Sequence, residues 1–244
     1  PGPVLPIPRA CEPPHDKYAF CNPKLPLDSR VDDLIKRLTL EEKPLLLIAR
    51  ESPKGNISRL GIPEYDWGGN CIHGVQSRCG FGSDGKQRCP TSYPDPNYLG
   101  ASFNKTVWLG MGKVIGLELR SLWLQGIGEN HAPTELPHIG LDCWSPNVGI
   151  NRDPRWGRNM EVPSEDPLLN GYFGQMYSLG MQNGSDPRFL QGIATLKHFD
   201  ANQLEGDWPG PEETCTGGTC TRHTINATIS KYDWASSYLP AFQR

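Results

Sequence analysis

The segment 145–167, with the sequence SPNVGINRDPRWGRNMEVPSEDP, constrains the fold more than any other part of the chain. It opens with an apolar run, VGI at 148–150, of the kind that ends a buried strand, and then becomes a loop rich in Arg, Asp, Asn and Glu. It closes where Ser164 or Asp166 can cap a helix and Pro167 suits the first turn of that helix. A strand that runs into a charged loop before a helix is how α/β folds place polar residues at the carboxyl ends of their strands. We therefore expect an α/β fold with functional residues in this loop.

Apolar periodicity predicts strands that alternate with helices along the rest of the chain. Helices are expected at 28–38, 104–122, 168–181 and 224–242, and strands at 62–67, 141–150 and 192–199. This alternation favours βαβ units and a parallel sheet, and about four or five units are present where a complete barrel needs eight. We expect residues 28–244 to be the N-terminal part of a TIM-type (β/α) barrel, completed by another chain or by missing sequence, and residues 1–27 to be a proline-rich N-terminal extension.

Composition narrows the range of partners. The formal net charge is -3 and 21% of the residues are charged, so neither nucleic acid nor a membrane surface is indicated as a partner. No apolar run approaches the roughly 18 residues that a membrane span requires. The histidines and carboxylates show no H-x-x-x-H or comparable ligand spacing, and no phosphate-binding glycine motif occurs, so we expect neither a metal nor a cofactor. The sequence has no initiator Met and no signal-peptide pattern, and we expect it to be a processed or excised product.

Cysteines and glycosylation sequons together indicate the secretory pathway. The chain has 8 cysteines, and Asn-x-Ser/Thr sequons are present at Asn56, Asn104, Asn183 and Asn226. An even cysteine set with several sequons favours a secreted or extracellular protein, with a vacuolar or lysosomal destination also open.

An even set of this size allows many disulfide pairings. The short-range closures are favoured, which leaves two cysteines for a fourth pair; the pairs are Cys11–Cys21, Cys79–Cys89, Cys215–Cys220 and then Cys71–Cys143. Buried, reduced thiols are the alternative.

Three segments resemble one known family. DPRWGR at 153–158 followed by SEDP at 164–167 resembles the D-P-R-W-G-R…(S/G)-E-D-P signature of the N-terminal domain of glycoside hydrolase family 3, specifically its β-xylosidase-like branch. CIHGV at 71–75 is similar to the family's (E/D)-A-(L/V)-H-G-V motif, and 91–103 is similar to its P-T-x-(F/Y)-P segment. The resemblance extends over residues 21–242 but matches only the first part of the family's length.

The resemblance implies that four residues bind sugar. Arg158 would be the sugar-binding arginine of the signature, because a guanidinium presents a rigid fork of donors that can grip a diol. Lys197 and His198 would bind hydroxyls of the sugar in the first subsite; a surface lysine beside a core histidine is the alternative. Asn70 stands where the family usually has Asp or Glu. It keeps a carbonyl acceptor but lacks the charge, and charge-assisted hydrogen bonds are roughly twice as strong as neutral ones.

Other side chains of the signature loop are expected to be structural. Arg152 and Arg155 are predicted to hold the loop by pairing with a nearby carboxylate, namely Asp153, Glu161 or Glu165. Trp156 is either a stacking platform or a buried anchor of the loop.

The resemblance also implies that the catalytic residues lie elsewhere. Retaining glycosidases use a nucleophile and an acid/base about 5–5.5 Å apart, and the family's nucleophile is an Asp in an S-D-(W/C) motif on a later strand. The Ser-Asp pairs at 83–84 and 185–186 do not occupy the corresponding place. We therefore expect no catalytic residue in this chain, and no activity from the chain alone.

The expected function is hydrolysis of terminal β-glycosidic bonds by an exo-acting, β-xylosidase-like, retaining enzyme. The substrate would be a β-linked oligosaccharide or glycoside, with β-glucosidase and arabinofuranosidase activities as close alternatives. A second polypeptide would carry the rest of the barrel and the catalytic carboxylates. The alternative from another class is a non-catalytic extracellular carbohydrate-binding or structural module on a glycosidase barrel.

Overall fold

The computed structural model describes residues 9–47, 55–65, 67, 69–75, 79–81, 86–124, 140–202, 204–212 and 214–244. The chain divides into two compact units, of which the first comprises Pro1–Gly68, Gly80–Arg88 and Leu122–Gly140. The second comprises Gly69–Cys79, Cys89–Ser121 and Leu141–Arg244, and it contains the predicted site residues.

In its described residues, the first unit contains two α-helices and a short hairpin. The helices are α1 (Leu27–Arg37) and α2 (Glu42–Leu45), and the antiparallel strands are β1 (Gly80–Phe81) and β2 (Gln87–Arg88). The predicted helix at 28–38 is confirmed, with an acidic residue in its first turn and basic residues in its last, where the helix dipole favours them. Thr39 and Glu42 form a reciprocal capping box, in which each backbone amide donates to the other side chain, at 2.9 and 3.3 Å. Phe20, Ile57 and Leu60 form the core of this unit.

Two long helices form the core of the second unit, together with the short α3 (Pro96–Ala101). In α4 (Lys105–Leu124), which confirms the helix predicted at 104–122, an apolar stripe is buried, and the Asn104 side chain caps the first turn; the stripe comprises Trp108, Met111, Ile115, Leu119 and Leu122. Asp166 caps α5 (Pro167–Gln182) by accepting from the Leu168 amide at 2.8 Å.

Glycine allows these two helices to pack closely. A Cβ at Gly112 of α4 would overlap the backbone oxygen of Tyr177 in α5, and one at Gly116 would overlap that of Met181. The close approach of the two backbones therefore requires glycine at both positions.

Three chain segments lie side by side in parallel in the second unit. Strand β3 (Asp142–Cys143) pairs in parallel with β4 (Ile193–Ala194), and single parallel bridges join Gly69 to Cys143 and Asn147 to Lys197. The arrangement is α/β with parallel pairing, as expected. Among the described residues, however, this pairing joins three segments and not four or five βαβ units, and the partial barrel stays a prediction.

Two predicted elements differ in the structure. The predicted strand at 62–67 is absent from its described residues: Ile62 pairs only with Ile57 in an antiparallel bridge, and parallel pairing begins at Gly69. Pro63 explains the difference, because proline has no amide to donate to a ladder.

The predicted helix at 224–242 was too long at its start. Helix α6 (Lys231–Asp233) begins only after Ser230, whose side chain caps it, because the β-branched run TINATI before it favours extended backbone. A π turn at Trp234–Tyr238 then precedes α7 (Pro240–Gln243) and interrupts the predicted helix before Pro240. An antiparallel hairpin of β5 (Trp208–Pro209) and β6 (Thr219–Cys220) lies between the third parallel segment and this last helical region.

The structure forms the four favoured disulfides, Cys11–Cys21, Cys79–Cys89, Cys215–Cys220 and Cys71–Cys143. The last links the first and second parallel segments, next to the bridge between Gly69 and Cys143. Disulfides of this number fit an extracellular protein. Among the described residues, no helix is both long and apolar enough to span a membrane, and no three His, Cys, Asp or Glu side chains are grouped to hold a metal.

Candidate functional site

The signature loop is held in place by its own backbone contacts. The Asn151 amide donates to Ser164 O at 3.1 Å, which joins the two ends of the loop. Inside it, the Asn159 side-chain amide donates to the carbonyls of Asp153 and Trp156 at 2.8 and 2.9 Å. Trp156 is only 5% exposed, so it is a buried anchor of the loop. These contacts fix the loop from which Arg158 extends.

Arg158 forms ion pairs with two carboxylates. Its Nε and Nη2 donate to the two oxygens of Glu161 at 2.7 and 2.6 Å, and its Nη1 donates to Glu205 Oε1 at 3.1 Å. Bidentate pairing of this kind fixes the plane of the guanidinium. Neither Glu161 nor Glu205 was predicted from the sequence as a partner of Arg158.

Lys197 and His198 join the same network from the third parallel segment. The Lys197 backbone is paired on the second segment, where its amide donates to Pro146 O at 3.1 Å and its carbonyl accepts from the Val148 amide at 2.9 Å. Its Nζ lies 3.6 Å from Glu161 Oε2, and His198 Nε2 lies 3.2 Å from Arg158 Nη1. The structure therefore brings three of the four predicted sugar-binding residues together around one carboxylate.

The fourth predicted residue, Asn70, follows the first parallel segment. Its side chain is exposed, and its Oδ1 accepts the backbone amide of Ile72 at 3.1 Å in a local turn.

The charges of the network determine the ionisation of its members. Burial, together with the nearby charges of Arg158 and Lys197, lowers the pKa of His198 to about 4. Burial alone would raise the pKa of Glu161, but the hydrogen bond from Arg158 and the charge of Lys197 outweigh it, and the pKa is lowered. At neutral pH the site thus has two fixed cations, an ionised Glu161 and a neutral imidazole, which can both donate and accept hydrogen bonds.

The neighbouring residues behave partly as predicted. Arg155 pairs with Asp153 at 2.6 Å, as expected. Arg152 differs, because its guanidinium lies over the ring of Tyr238, 5.0 Å from the centroid. Glu161 pairs with Arg158 instead of Arg152 or Arg155, and its i+3 spacing from Arg158 is a signal that could have identified this pair.

Glu205 could not have been identified in the same way. It lies 47 residues from Arg158 in sequence, within a loop that has no periodic pattern. It also accepts from Arg222 Nη1 at 3.4 Å, so it bridges two arginines.

The four sequon asparagines, Asn56, Asn104, Asn183 and Asn226, are all exposed in the structure. Their glycosylation stays a prediction.

Comparison with known proteins identifies the family. The model of the glycosyl hydrolase family 3 N terminal domain matches residues 52–216, which include Asn70, Arg158, Lys197 and His198. The chain belongs to this family.

Several curated relatives carry xylosidase names. Beta-xylosidase/alpha-L-arabinofuranosidase 2 of Medicago sativa subsp. varia is 38% identical over 230 residues, which is 93% of this chain and 26% of the relative. Probable beta-D-xylosidase 7 of Arabidopsis thaliana is 36% identical over 98% of this chain and 30% of its own length. The chain thus spans well under half of the curated relatives that it matches. The resemblance to the β-xylosidase-like branch is confirmed.

Solved structures agree with this assignment. A GH3 exo-beta-xylosidase (XlnD), in complex with a xylobiose aziridine activity-based probe, superposes with a TM-score of 0.76 at 28% identity, over 98% of this chain and 28% of that one. Beta-glucosidase 3B from Thermotoga neapolitana, at 22% identity and a TM-score of 0.62 over 87% of this chain and 27% of that one, shares the fold.

Proposed function

We propose that this chain is the N-terminal part of the barrel of an exo-acting, β-xylosidase-like enzyme that hydrolyses terminal β-glycosidic bonds with retention. Residues 28–244 form the partial barrel, and residues 1–27 form a proline-rich extension. The nucleophile and the acid/base, which must lie about 5–5.5 Å apart, lie outside this chain, in further sequence or in a second polypeptide: the nucleophile on a later strand of the barrel and the acid/base beyond that strand. The short span of the chain relative to its relatives supports this division.

The observation that carries the proposal is the cluster of Arg158, Lys197 and His198 around Glu161. Glu161 fixes the guanidinium, so little freedom is lost when a sugar hydroxyl accepts a hydrogen bond from it. Lys197 adds a second charged donor, and its side chain is only 11% exposed, so its orientation is also restricted. The neutral His198 both donates and accepts, which suits a hydroxyl group.

These residues bind and orient the terminal sugar. Asn70 adds a neutral donor from the first parallel segment. Their binding energy holds the anomeric carbon in place for the incoming carboxylate, which is the contribution that positioning makes to catalysis. The two covalent steps of the retaining route, formation and hydrolysis of a glycosyl-enzyme intermediate, belong to residues outside this chain.

Sugar binding tests the proposed site. We expect Arg158→Gln to weaken binding of D-xylose to the full protein by at least about tenfold, because a charge-assisted donor is lost. Arg188→Gln is the matched control, since Arg188 forms a similar pair with Asp186 but is 76% exposed. Equal affinity in the two variants, measured by calorimetry, would exclude Arg158 from the sugar site.

Hydrolysis of an aryl β-xyloside tests the division between this chain and the rest of the enzyme. The 244-residue chain alone should be inactive, and native mass spectrometry of the isolated protein should detect the remaining sequence, attached or as a second polypeptide with a Ser-Asp nucleophile motif. Activity from the 244-residue chain alone contradicts the proposed division.

A non-catalytic carbohydrate-binding or structural module is the second candidate, and Asn70 is the observation that favours it. The loss of the usual carboxylate weakens hydroxyl binding at that position. In this case the remainder of the barrel would lack the Ser-Asp motif, and D-xylose would bind without turnover of the aryl xyloside by the complete protein.

Secretion and N-glycosylation form part of the proposal, because the sequon asparagines are exposed and the disulfides suit an oxidising compartment. Removal of N-glycans with an amidase should lower the mass of the native protein. An unchanged mass would contradict glycosylation at all four sites.

A further inference from the structure

A cavity lies between the residues that follow His198 and the segment that leads into α6. Its volume is about 440 Å³, which is within the range of about 300–1,000 Å³ that is usual for small-molecule sites. None of the four predicted sugar-binding residues lines it. Its lining includes polar, apolar and aromatic side chains, among them Asp200, Asn202, Arg222, Asn226, Ile229 and Trp234.

Two acceptors on the wall of this cavity have no donor. Asp200 Oδ2 and Asn202 Oδ1 are buried, and neither has a hydrogen-bond partner among the residues that the structure describes. A buried acceptor in this state is costly to leave unpaired. A ligand that brings N–H or O–H groups therefore fits the polar side of the cavity.

Trp234 gives the cavity an aromatic surface in a fixed position. The residue is half-buried, its amide donates to Ser230 O at 2.9 Å, and its carbonyl accepts from the Leu239 amide at 3.0 Å. Ile229 lines the cavity as well. An aromatic ring in the same cavity as free acceptors suits a sugar, whose C–H face packs on the ring while its polar groups donate.

One residue of the lining is itself the asparagine of a glycosylation sequon. Asn226 is exposed, as is Thr228, which completes the sequon. The Asn226 amide donates to Thr214 O at 2.7 Å, so its backbone is held in place. A sugar attached to the Asn226 side chain would therefore start from a fixed point at the wall of the cavity. The other sequon asparagines do not line it, namely Asn56, Asn104 and Asn183.

We propose that this cavity binds the first N-acetylglucosamine of an N-glycan attached to Asn226. The inference rests on one part of the proposed function, N-glycosylation. The acetamido N–H and the hydroxyls of the sugar donate to Asp200 and Asn202, and its ring packs on Trp234. Because the sugar is tethered, its effective concentration is on the order of millimolar. Contacts too weak to bind the free sugar can therefore hold the attached one in place.

The rate of glycan release from the folded protein tests the proposal. The full glycosylated protein is treated under native conditions with an amidase that cuts between the asparagine and the first sugar, and release at Asn226 is followed by peptide mass spectrometry. Trp234→Ala and Trp234→Phe are compared with Trp208→Ala. The last is the matched control, because Trp208 is 49% exposed and does not line the cavity.

We expect Trp234→Ala to speed release at Asn226 about tenfold, which corresponds to a docked state favoured by about ten to one. Trp234→Phe and Trp208→Ala should leave the rate close to that of the unaltered protein. Equal rates in the unaltered protein and in Trp234→Ala would overturn the docked sugar. A native protein without a glycan on Asn226 would also overturn it, while the proposed sugar hydrolysis stands. Only the absence of glycans from all four sequons would refute the proposed glycosylation as well.

Stability provides an independent test that leaves the cavity wall unchanged. Thr228→Ala removes the sequon of Asn226, and Ser185→Ala removes that of Asn183; both altered residues are exposed. Thr228→Ala should lower the urea midpoint and Ser185→Ala should not, because only the former loses a sugar that binds the folded state. Trimming high-mannose glycans to one sugar with an endoglycosidase should preserve this difference. Equal midpoints for the two variants would contradict docking, and a difference that disappears on trimming would exclude the first sugar as the ligand.

Discussion

Glu161 is the carboxylate on which the candidate sugar site depends, and Glu161→Gln removes its charge with little change in shape. In the native protein it accepts two hydrogen bonds from Arg158 and lies 3.6 Å from Lys197 Nζ. The amide oxygen of Gln can still accept one hydrogen bond. Arg158 then keeps its ion pair with Glu205, but the charge that Arg158 and Lys197 share at Glu161 is lost, and we expect the variant to be less stable.

The degree of burial sets the size of the effect. Removing one partner of a fully buried ion pair costs about 3–5 kcal/mol, whereas exposed pairs contribute about 0–1 kcal/mol. The exposed fractions of the side chains are 21% for Glu161, 19% for Arg158 and 11% for Lys197, which places this cluster between the two cases. Allowing for partial screening by solvent and for the retained hydrogen bond, we expect a loss of about 1–3 kcal/mol in the free energy of unfolding.

Urea denaturation at neutral pH measures this loss, and Asp153→Asn provides the matched control. Asp153 also pairs with an arginine of the same loop, but Arg155 is 81% exposed, so the control should show little change. Because the pKa of Glu161 is lowered, its contribution is present above its ordinary pKa and is lost as the pH falls through the folded value. Glu161→Gln should therefore also weaken the dependence of stability on pH at acidic pH. Equal unfolding midpoints for the two variants would refute the idea that Glu161 holds the cluster together.

Three further predictions concern the core and the site. Gly112→Ala should lower the free energy of unfolding by roughly 1–3 kcal/mol, because the added Cβ would overlap the Tyr177 backbone. Gly110→Ala in the same helix is the control: its Cβ would meet nothing within 4 Å, so it should be neutral or stabilising, and equal urea midpoints for the two variants would contradict this prediction. Tyr177→Phe should cost about 1–3 kcal/mol in urea denaturation, because the hydroxyl donates to the buried Cys71 carbonyl at 2.6 Å, and an unchanged midpoint would be contrary evidence. Since the pKa of His198 is lowered from 6.5 to about 4, the unfolded chain binds more protons between these values, so stability should rise with pH across that window. His198→Gln should flatten the rise in a series of urea midpoints.

The long helices could be predicted from sequence because their signals are local. The stripe of α4 repeats at helical spacing, and Asn104 and Asp166 occupy the capping positions of α4 and α5. The prediction of a strand at 62–67 was wrong because a short apolar run that contains a proline does not determine which segment it pairs with. The start of the last helix was predicted wrongly because the cap at Ser230 determines where the helix begins, whereas the apolar periodicity does not.

The candidate site could be predicted only in part, because only some of its residues lie in motifs with a local sequence signal. Arg158, Lys197 and His198 follow from motifs that lie at the ends of predicted strands. Glu205 depends on how the loop after the third parallel segment folds back toward the signature loop, and no periodicity encodes that path. Its contact with Arg158 spans 47 residues, so only the folded structure reveals it.

The ion pairs of the site also bear on where the catalytic carboxylates lie. A general acid in a glycosidase needs a raised pKa, whereas the pKa of Glu161 is lowered by Arg158 and Lys197. A nucleophile needs an oxygen that is free to attack, whereas both oxygens of Glu161 accept from Arg158, and Glu205 Oε1 accepts from Arg158 and Arg222. Glu161 is therefore suited to holding Arg158 and Lys197 in place and poorly suited to either catalytic role, while Glu205 helps to hold Arg158 through Oε1. This chemistry supports the proposed division of roles, in which the present chain binds the sugar and the catalytic carboxylates come from sequence outside it.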